Sequence, residues 1–338
     1  MNILLLQLKR IGDFILTTPA IAALRKHLPE ARLTLVTSPV CEELLPALPP
    51  LDRVLPMRAK VGEISEWFAS SGTNYEYCID FTRNDRSALL SLLSCARKRI
   101  TADHQNLRKK IRSLIYNQLV DCPVRLMHTV DYHLGFLTPL GISEASPKVP
   151  FTLPESALEK ADQLCREKIG EEFLVVHPGS ARENKFWEAD RWAEVINHFA
   201  GGRALKCVVT GGSSSQERDH IAKIKSLTRC DVIDLSRQLD LLTLAALIQK
   251  SRLLATIDSA PMHLAGAMRI PQVALFGPTN PFHWRPRSSP VVILRGGTQG
   301  PVTDFSPYQT AVPMNEISTT QVIDGMESLL SAPAEPAL

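Results

Sequence analysis

Short apolar runs alternate along the chain with longer stretches of helical period. In the first half the runs are ILLLQ (3–7), RLTLV (32–36), RVLPM (53–57) and YCIDF (77–81). In the second half they are FLVVH (173–177), LKCVV (205–209), DVIDL (231–235), LLATI (253–257) and QVALF (272–276). Such near-continuous apolar runs are what strands buried on both faces require. The stretches between most of them, such as ADRWAEVINHF (189–199) and LLTLAALIQK (241–250), follow the helical period. Alternation of the two predicts an α/β protein with parallel sheets covered by helices on both faces.

Residues 141–154, GISEASPKVPFTLP, hold three prolines and little periodicity. They read as a linker, with one α/β domain over 1–150 and a second over 151–316. The segment 317–331 reads as one amphipathic helix, with Ser318 and Gln321 spaced for a capping box. Residues 332–338 read as a frayed tail. No short-period repeat is visible, and the pattern leaves open whether the two halves share one fold.

A chain of 338 residues suits two domains of ordinary size. Its composition, 44% hydrophobic and 22% charged, is that of a protein with a buried core. The net charge of +3 is too small to point to nucleic acid. The seven cysteines are scattered without a CxxC pair, which fits reduced thiols better than a disulfide framework or a zinc site. Cys207, inside an apolar run, reads as a core residue. The opening MNILLLQLKRIGDF is not a secretory signal, because its basic pair follows the apolar run. No window approaches the ~18 apolar residues of a membrane span. The expectation is a cytosolic protein, compatible with one that lies against a membrane.

Ligands of parallel α/β sheets bind beyond the carboxyl ends of the strands. Four loops leaving predicted strands of the second half are rich in Gly, Ser or Thr: 177–187, 210–218, 258–263 and 277–286. Small residues let backbone N–H groups approach a ligand, and a helix N-terminus favours an anion. Together they point to a phosphate-bearing ligand. Lys185 lies in the first loop and reads either as a solvated surface lysine or, among anion-binding loops, as a point charge that neutralises a leaving phosphate. His263, one turn after Asp258, reads either as a buried residue that helps to cap its helix or as a contact to phosphate or ribose. Asp258 and Ser259 suit an N-cap and also suit hydrogen bonds to sugar hydroxyls.

The first half differs. Its leading loop carries only Gly12, without the G-x-G-x-x-G dinucleotide fingerprint, and the chain has no G-x-x-x-x-G-K-[ST] loop. A carboxylate at Asp13 would repel a phosphate docked there. It is therefore either a helix cap or a functional acid facing something other than phosphate. Pro19 either kinks a helix running from Asp13 or, with Thr18, starts a fresh one.

The segments GDFILTTPAIAALRKHLPEARL, HPGSARENKFWEADRW and DSAPMHLAGAMRIPQVALFGPTNP together resemble glycosyltransferase family 9, the ADP-heptose:lipopolysaccharide heptosyltransferases. The likeness spans nearly the whole chain. FHWRP and NYEYCIDFTRNDRSALL resemble most the branch adding the third inner-core heptose. The resemblance implies a GT-B architecture of two Rossmann-like, doubly wound domains facing across a cleft. The carboxy-terminal domain would bind ADP-heptose as co-substrate, and the amino-terminal domain would receive the lipopolysaccharide inner-core acceptor.

It further implies an inverting, metal-independent transfer, and the sequence indeed has no D-x-D pair. Asp13 matches the family's general base, taking the proton of the acceptor hydroxyl as it attacks. Lys185 would stabilise charge developing on ADP. Ser180 matches a phosphate contact, Glu217 a ribose-binding acid and Leu239 an adenine contact. Asp258, Ser259 and His263 match the nucleotide-binding turn. Lys9, Arg10 and Gly12 fall at the acceptor side; Lys9 and Arg10 replace small polar residues of some members and would read a different acceptor anion. Asn280 stands where many members have aspartate.

Other readings are a family-9 transferase using another nucleotide sugar or acceptor, a nucleotide-sugar epimerase of the same architecture, and a non-catalytic nucleotide-sugar binder. A silent binder has no need of a carboxylate at Asp13. A nicotinamide dehydrogenase is disfavoured by the missing glycine fingerprint. The basic stretch 96–112, ARKRITADHQNLRKKIR, is either a solvated helix face with its loop or a contact to core sugars, phosphates or lipid headgroups. The second reading predicts peripheral contact with the inner face of the cytoplasmic membrane.

Overall fold

In the computed structural model, the described residues are 1–57, 73–103, 114–202 and 205–332. They divide into two compact units, Met1–Thr152 and Leu153–Leu338. The division falls inside the proline-rich stretch, where residues 142–154 hold no regular secondary structure.

The first unit runs β1 (Asn2–Gln7), α1 (Ile11–Ile15), α2 (Thr18–His27), β2 (Arg32–Thr37), β3 (Arg53–Pro56), β4 (Tyr77–Asp80), α3 (Asp85–Leu93), β5 (Lys98–Ala102), β6 (Gln118–Val120) and α4 (Thr129–Gly135). The second runs α5 (Glu155–Leu164), β7 (Phe173–His177), α6 (Ala189–Asn197), β8 (Lys206–Val209), α7 (Ser215–Leu227), β9 (Ile233–Asp234) and α8 (Leu241–Lys250). It continues with β10 (Leu253–Ile257), α9 (Ala260–Ala267), β11 (Gln272–Phe276), α10 (Pro281–Trp284), β12 (Val291–Arg295) and α11 (Thr319–Ser331).

Each unit holds one six-stranded sheet, ordered β3-β2-β1-β4-β5-β6 and β12-β11-β10-β7-β8-β9, with every pairing parallel. Counted within its own unit, each sheet reads 3-2-1-4-5-6, the doubly wound order. The two halves therefore repeat one topology, the question the sequence pattern left open. They supply the paired α/β units of a GT-B fold.

All nine runs read as strands contain one, although the run 231–235 shrinks to Ile233–Asp234. Three strands, β5, β6 and β12, lay outside those runs, although β12 opens on the apolar stretch Val291–Leu294. In β5 two basic residues precede the buried Ile100, Thr101 and Ala102, so the apolar part is too short to stand out. This also corrects the helical reading of the basic stretch over its described part, since Lys98–Ala102 is sheet. The remainder of that stretch, 104–112, lies outside the described residues, as does most of the tail, 333–338.

Two local alternatives are resolved. The chain breaks at Leu16–Thr17 and restarts as α2 with Pro19 in its first turn, where the missing N–H costs nothing. Both halves of the Ser318–Gln321 capping box form at the start of α11. Cys207 is buried and all seven cysteines are free thiols. Among the described residues no helix is long and apolar enough to cross a membrane.

Candidate functional site

In a doubly wound sheet the crevice for ligands opens where the strand order reverses, between the first and fourth strands of the unit. In the second unit these are β7 and β10, which lie side by side with Thr256 opposite His177. The chain leaves β7 through Pro178, Gly179 and Ser180, and leaves β10 through Asp258 and Ser259.

Lys185 bridges the two exits. Its Nζ donates to Asp258 Oδ2 at 2.6 Å and to the Asp258 carbonyl at 3.0 Å. The side chains are only 13% and 8% exposed, so Lys185 is no solvated surface lysine. Trp187, two residues on, anchors the loop: it is fully buried, stands edge-on to Trp192 and donates its Nε1–H to Ile317 O at 3.0 Å. An ammonium has three donors. Among the described residues two are spent, both on Asp258, and one remains for a ligand.

The loop after β11 joins the same cluster, because Thr279 Oγ1 donates to Asp258 Oδ2 at 2.7 Å. The loop after β8 joins through Glu217, which is buried and folds back over the start of its own helix, α7. Gly212 N–H (3.4 Å) and Ser214 Oγ (3.0 Å) donate to its carboxylate. Glu217 also lies against the loop after β7: a Cβ built on Gly179 would come within 2.3 Å of its Oε1. Ser180, next to that glycine, is buried with its Oγ accepting from Arg182 N–H at 3.3 Å. All four glycine- and serine-rich loops thus meet at the carboxyl edge of one sheet.

The capping expected from Asp258 and Ser259 is not made. Ser259 occupies the N-cap position of α9 without a side-chain cap bond, and its hydroxyl instead lies 3.2 Å from Thr256 Oγ1. Asp258 is engaged by Lys185 and Thr279. The N-terminus of α9 therefore enters the cluster uncapped by side chains. His263 is buried within α9, 6% exposed. Leu239 is half-buried against the core cluster that includes Phe173, Leu235 and Leu244. His177, at the end of β7, is neutral: burial pushes its pKa down to about 4, and its Nδ1 meets Thr210 Oγ1 at 2.9 Å. A groove of about 580 Å³ between α7 and the turn after β9 is lined by Arg218, Lys225, Asp234 and Arg237. None of the four loops' clustered side chains lines it.

In the first unit the switch point lies between β1 and β4. Gly12 and Asp13 sit in α1, whose N-cap is Arg10 and carries no side-chain cap bond. Asp13 is thus not the cap. Its carboxylate lies 3.6 Å from Lys9 Nζ, one helical turn away, and its side chain is 18% exposed. Arg10 is exposed and Lys9 half-buried. Burial above all pushes the Lys9 pKa down, and the Asp13 charge opposes that.

Beneath α1 lies a network that sequence reasoning missed. Thr17 Oγ1 donates to Asp13 O at 2.8 Å and accepts from Gln7 Nε2 at 2.5 Å. His133 Nδ1 meets Thr17 Oγ1 at 3.1 Å and Leu16 O at 3.2 Å, so the proton belongs on Nδ1. Burial pushes the His133 pKa down to about 3, which keeps it neutral. Also missed was Asp80, a fully buried carboxylate whose pKa burial raises. It accepts Thr82 N–H, Arg83 N–H, Ser87 Oγ–H and Tyr116 O–H. Both networks join residues distant in sequence; the signals were polar residues such as Gln7 and Asp80 inside predicted strands. Among the described residues no group of three or more His, Cys, Asp or Glu side chains is placed to hold a metal ion.

Two doubly wound parallel units, with side-chain clusters at both switch points, define the class of α/β protein. Comparison with known proteins narrows it. The model of glycosyltransferase family 9 (heptosyltransferase) matches residues 70–311. Lipopolysaccharide heptosyltransferase 3 of Escherichia coli is 26% identical over 299 residues, covering 85% of this chain and 86% of that protein. Among solved structures, the glycosyl transferase family 9 protein of Veillonella parvula DSM 2008 aligns with a TM-score of 0.83 at 23% identity, covering 97% of each chain. The E. coli ADP-heptose lps heptosyltransferase II aligns with a TM-score of 0.79 at 18% identity, covering 98% of each. The chain belongs to glycosyltransferase family 9, and it is a glycosyltransferase.

Proposed function

We propose that this enzyme transfers heptose from ADP-heptose to the inner core of lipopolysaccharide, with inversion and without a metal. The substrates are those for which its relatives are named, a lipopolysaccharide heptosyltransferase 3 and an ADP-heptose heptosyltransferase. The observation that carries the donor half is the convergence of three loops on Lys185 and Asp258, with the fourth packed through Glu217 against Gly179. In this reading the diphosphate meets the third N–H of Lys185, the amides near Ser180 and the uncapped start of α9. Glu217 accepts from the ribose hydroxyls, Leu239 lies against adenine, and Asp258 acts by fixing Lys185. His263 supports the turn from inside α9.

The first unit supplies Lys9, Arg10 and Gly12 to the acceptor and Asp13 as general base. The acceptor hydroxyl oxygen attacks the anomeric carbon, the bond to the diphosphate breaks, and the electron pair leaves with ADP. Asp13 takes the hydroxyl proton as the new bond forms. Lys185 is held where negative charge grows on the leaving phosphate, so its attraction strengthens toward the transition state.

The test is incubation with ADP-heptose and defined truncated core acceptors, read by mass spectrometry. One added heptose on a single acceptor, the third inner-core position, is expected; turnover with another nucleotide sugar alone would refute the donor assignment. EDTA should leave the rate unchanged, and a strict magnesium requirement would refute the metal-free reading. The reading also places the enzyme in the cytoplasm, held by its basic stretch against the anionic inner face of the cytoplasmic membrane. Co-sedimentation with anionic vesicles that weakens as salt rises is the expected result.

A further inference from the structure

At the switch point of the first sheet β1 and β4 are neighbours, with Leu6 opposite Asp80. The two chains stay together beyond the last strand pair. Leu8 N–H donates to Thr82 Oγ1 at 2.7 Å, and that hydroxyl reaches back to Leu6 O at 3.2 Å. The next residue on each chain is a cation: Lys9 on one and Arg83 on the other. Lys9 is the residue 3.6 Å from Asp13.

Arg83 has φ +61°, in the left-handed region that side-chain-bearing residues seldom occupy. A turn needing only that backbone would be served by glycine or asparagine. Here the strained position is held in place. The buried Asp80 accepts Arg83 N–H at 3.0 Å and Thr82 N–H at 2.9 Å, and Ser87 Oγ–H at 2.7 Å secures the same carboxylate. The Arg83 guanidinium lies 4.7 Å from the centre of the Tyr132 ring, itself nearly fully buried. Arg83 also adds to the burial that pushes the Lys9 pKa down, as two like charges side by side must. The fold thus accepts both strain and repulsion to put a second cation near Lys9, the partner of Asp13.

We propose that Lys9 and Arg83 clamp an anionic substituent of the acceptor, a phosphate or a carboxylate, and so fix which hydroxyl faces Asp13. This rests on the acceptor reading given above. A guanidinium offers a planar fork and an ammonium a compact point charge, a pairing suited to a tetrahedral or planar oxyanion. A bound anion relieves the repulsion between the two cations. Arg10, exposed to solvent, takes no part in the clamp.

The full-length chain is assayed with ADP-heptose and three acceptors: the phosphorylated core, the same core dephosphorylated, and the same core with its carboxylates reduced. Wild type should prefer the charged acceptor by about 10- to 100-fold in kcat/KM, the range for losing a charged hydrogen bond. The acceptor whose neutralisation abolishes the preference identifies phosphate or carboxylate as the source. Arg83→Gly deletes the guanidinium while relieving the strained φ, so its thermal midpoint should hold or rise. In that variant, and in Lys9→Gln, the charged-to-neutral ratio should fall toward one. A ratio that stays at the wild-type value, or a wild type with no preference, overturns the clamp.

A second measurement does not depend on the transfer assay. Reductive methylation of Lys9, followed by peptide mass spectrometry, should be slowed by inorganic phosphate in wild type and not in Arg83→Gly. Absence of protection in wild type overturns the clamp. Protection in a protein that transfers heptose to no acceptor supports the anion site while refuting the proposed activity.

Discussion

Lys185 Nζ lies 2.6 Å from Asp258 Oδ2 and 3.0 Å from the Asp258 carbonyl, tying the exit of β7 to the exit of β10. Both partners are largely shielded from solvent. Removing one charge leaves the other buried and uncompensated, at a cost of roughly 3 kcal/mol or more. Lys185→Ala should therefore lower the thermal midpoint as well as weaken donor binding and turnover. Adding Asp258→Asn should restore most of the midpoint and none of the turnover. If the double variant melts like the single one, the pair is not what stabilises these loops.

Asp13→Asn keeps the shape of the side chain and removes its basicity. Turnover should fall by ~10²–10⁴, the usual span for loss of a general base. Donor affinity should stay within a few-fold, because the proposed donor contacts lie in the other unit. Calorimetric titration with ADP, paired with rate measurements, separates the two quantities. Turnover near wild type would leave Asp13 with only its ion pair to Lys9.

Gly179→Ala tests how closely the first two donor loops approach. The added Cβ would lie 2.3 Å from Glu217 Oε1 and 3.0 Å from Cδ, so the carboxylate must move. It would lose its bonds from Gly212 N–H and Ser214 Oγ. The expected result is donor KM raised by about tenfold, the worth of one hydrogen bond to a charged group. Unchanged donor KM would remove Glu217 from the donor site.

His133 and His177 make stability depend on pH. Their folded pKa values are about 3 and about 4, against about 6.5 in an unfolded chain. Above pH 6.5 neither state binds a proton at these sites, and their contribution is constant. As pH falls from 6.5 toward 4 the unfolded chain takes up protons that the fold excludes, so stability is lost, by up to ~1.4 kcal/mol per pH unit for each group. Asp80, with its raised pKa, works in the opposite direction, because the fold takes up its proton before the unfolded chain does as pH falls. His133→Asn keeps a donor for Leu16 O and cannot titrate. Its thermal midpoint should fall less steeply between pH 7 and about 5 than that of wild type. Parallel curves would mean that His133 takes up its proton in the fold as readily as in the unfolded chain.

Much of this protein was legible in its sequence. Continuous apolar runs such as Leu253–Ile257 and Gln272–Phe276 announce buried parallel strands, because only such strands need apolar side chains on both faces. Small residues after those runs marked the loops that meet at Asp258. Asp13 stood out as a lone acid between an apolar strand and an apolar helix.

Tertiary structure decided what those residues do. Lys185 and Asp258 are 73 residues apart, and only the parallel pairing of β7 with β10 makes them an ion pair. Asp258 and Ser259 had the chemistry of caps, but Lys185, Thr279 and Thr256 claimed their oxygens. Strand β5 was hidden because two basic residues open it and its apolar part is short. Asp80 stood inside the run 77–81, but neither it nor His133 showed its role locally, since a buried polar group is defined by its partners, and theirs come from Leu16, Thr17 and Tyr116. Sequence specifies local period and side-chain chemistry directly. Which polar groups satisfy one another is settled only when strand order brings distant loops to one edge, where each buried donor must find an acceptor.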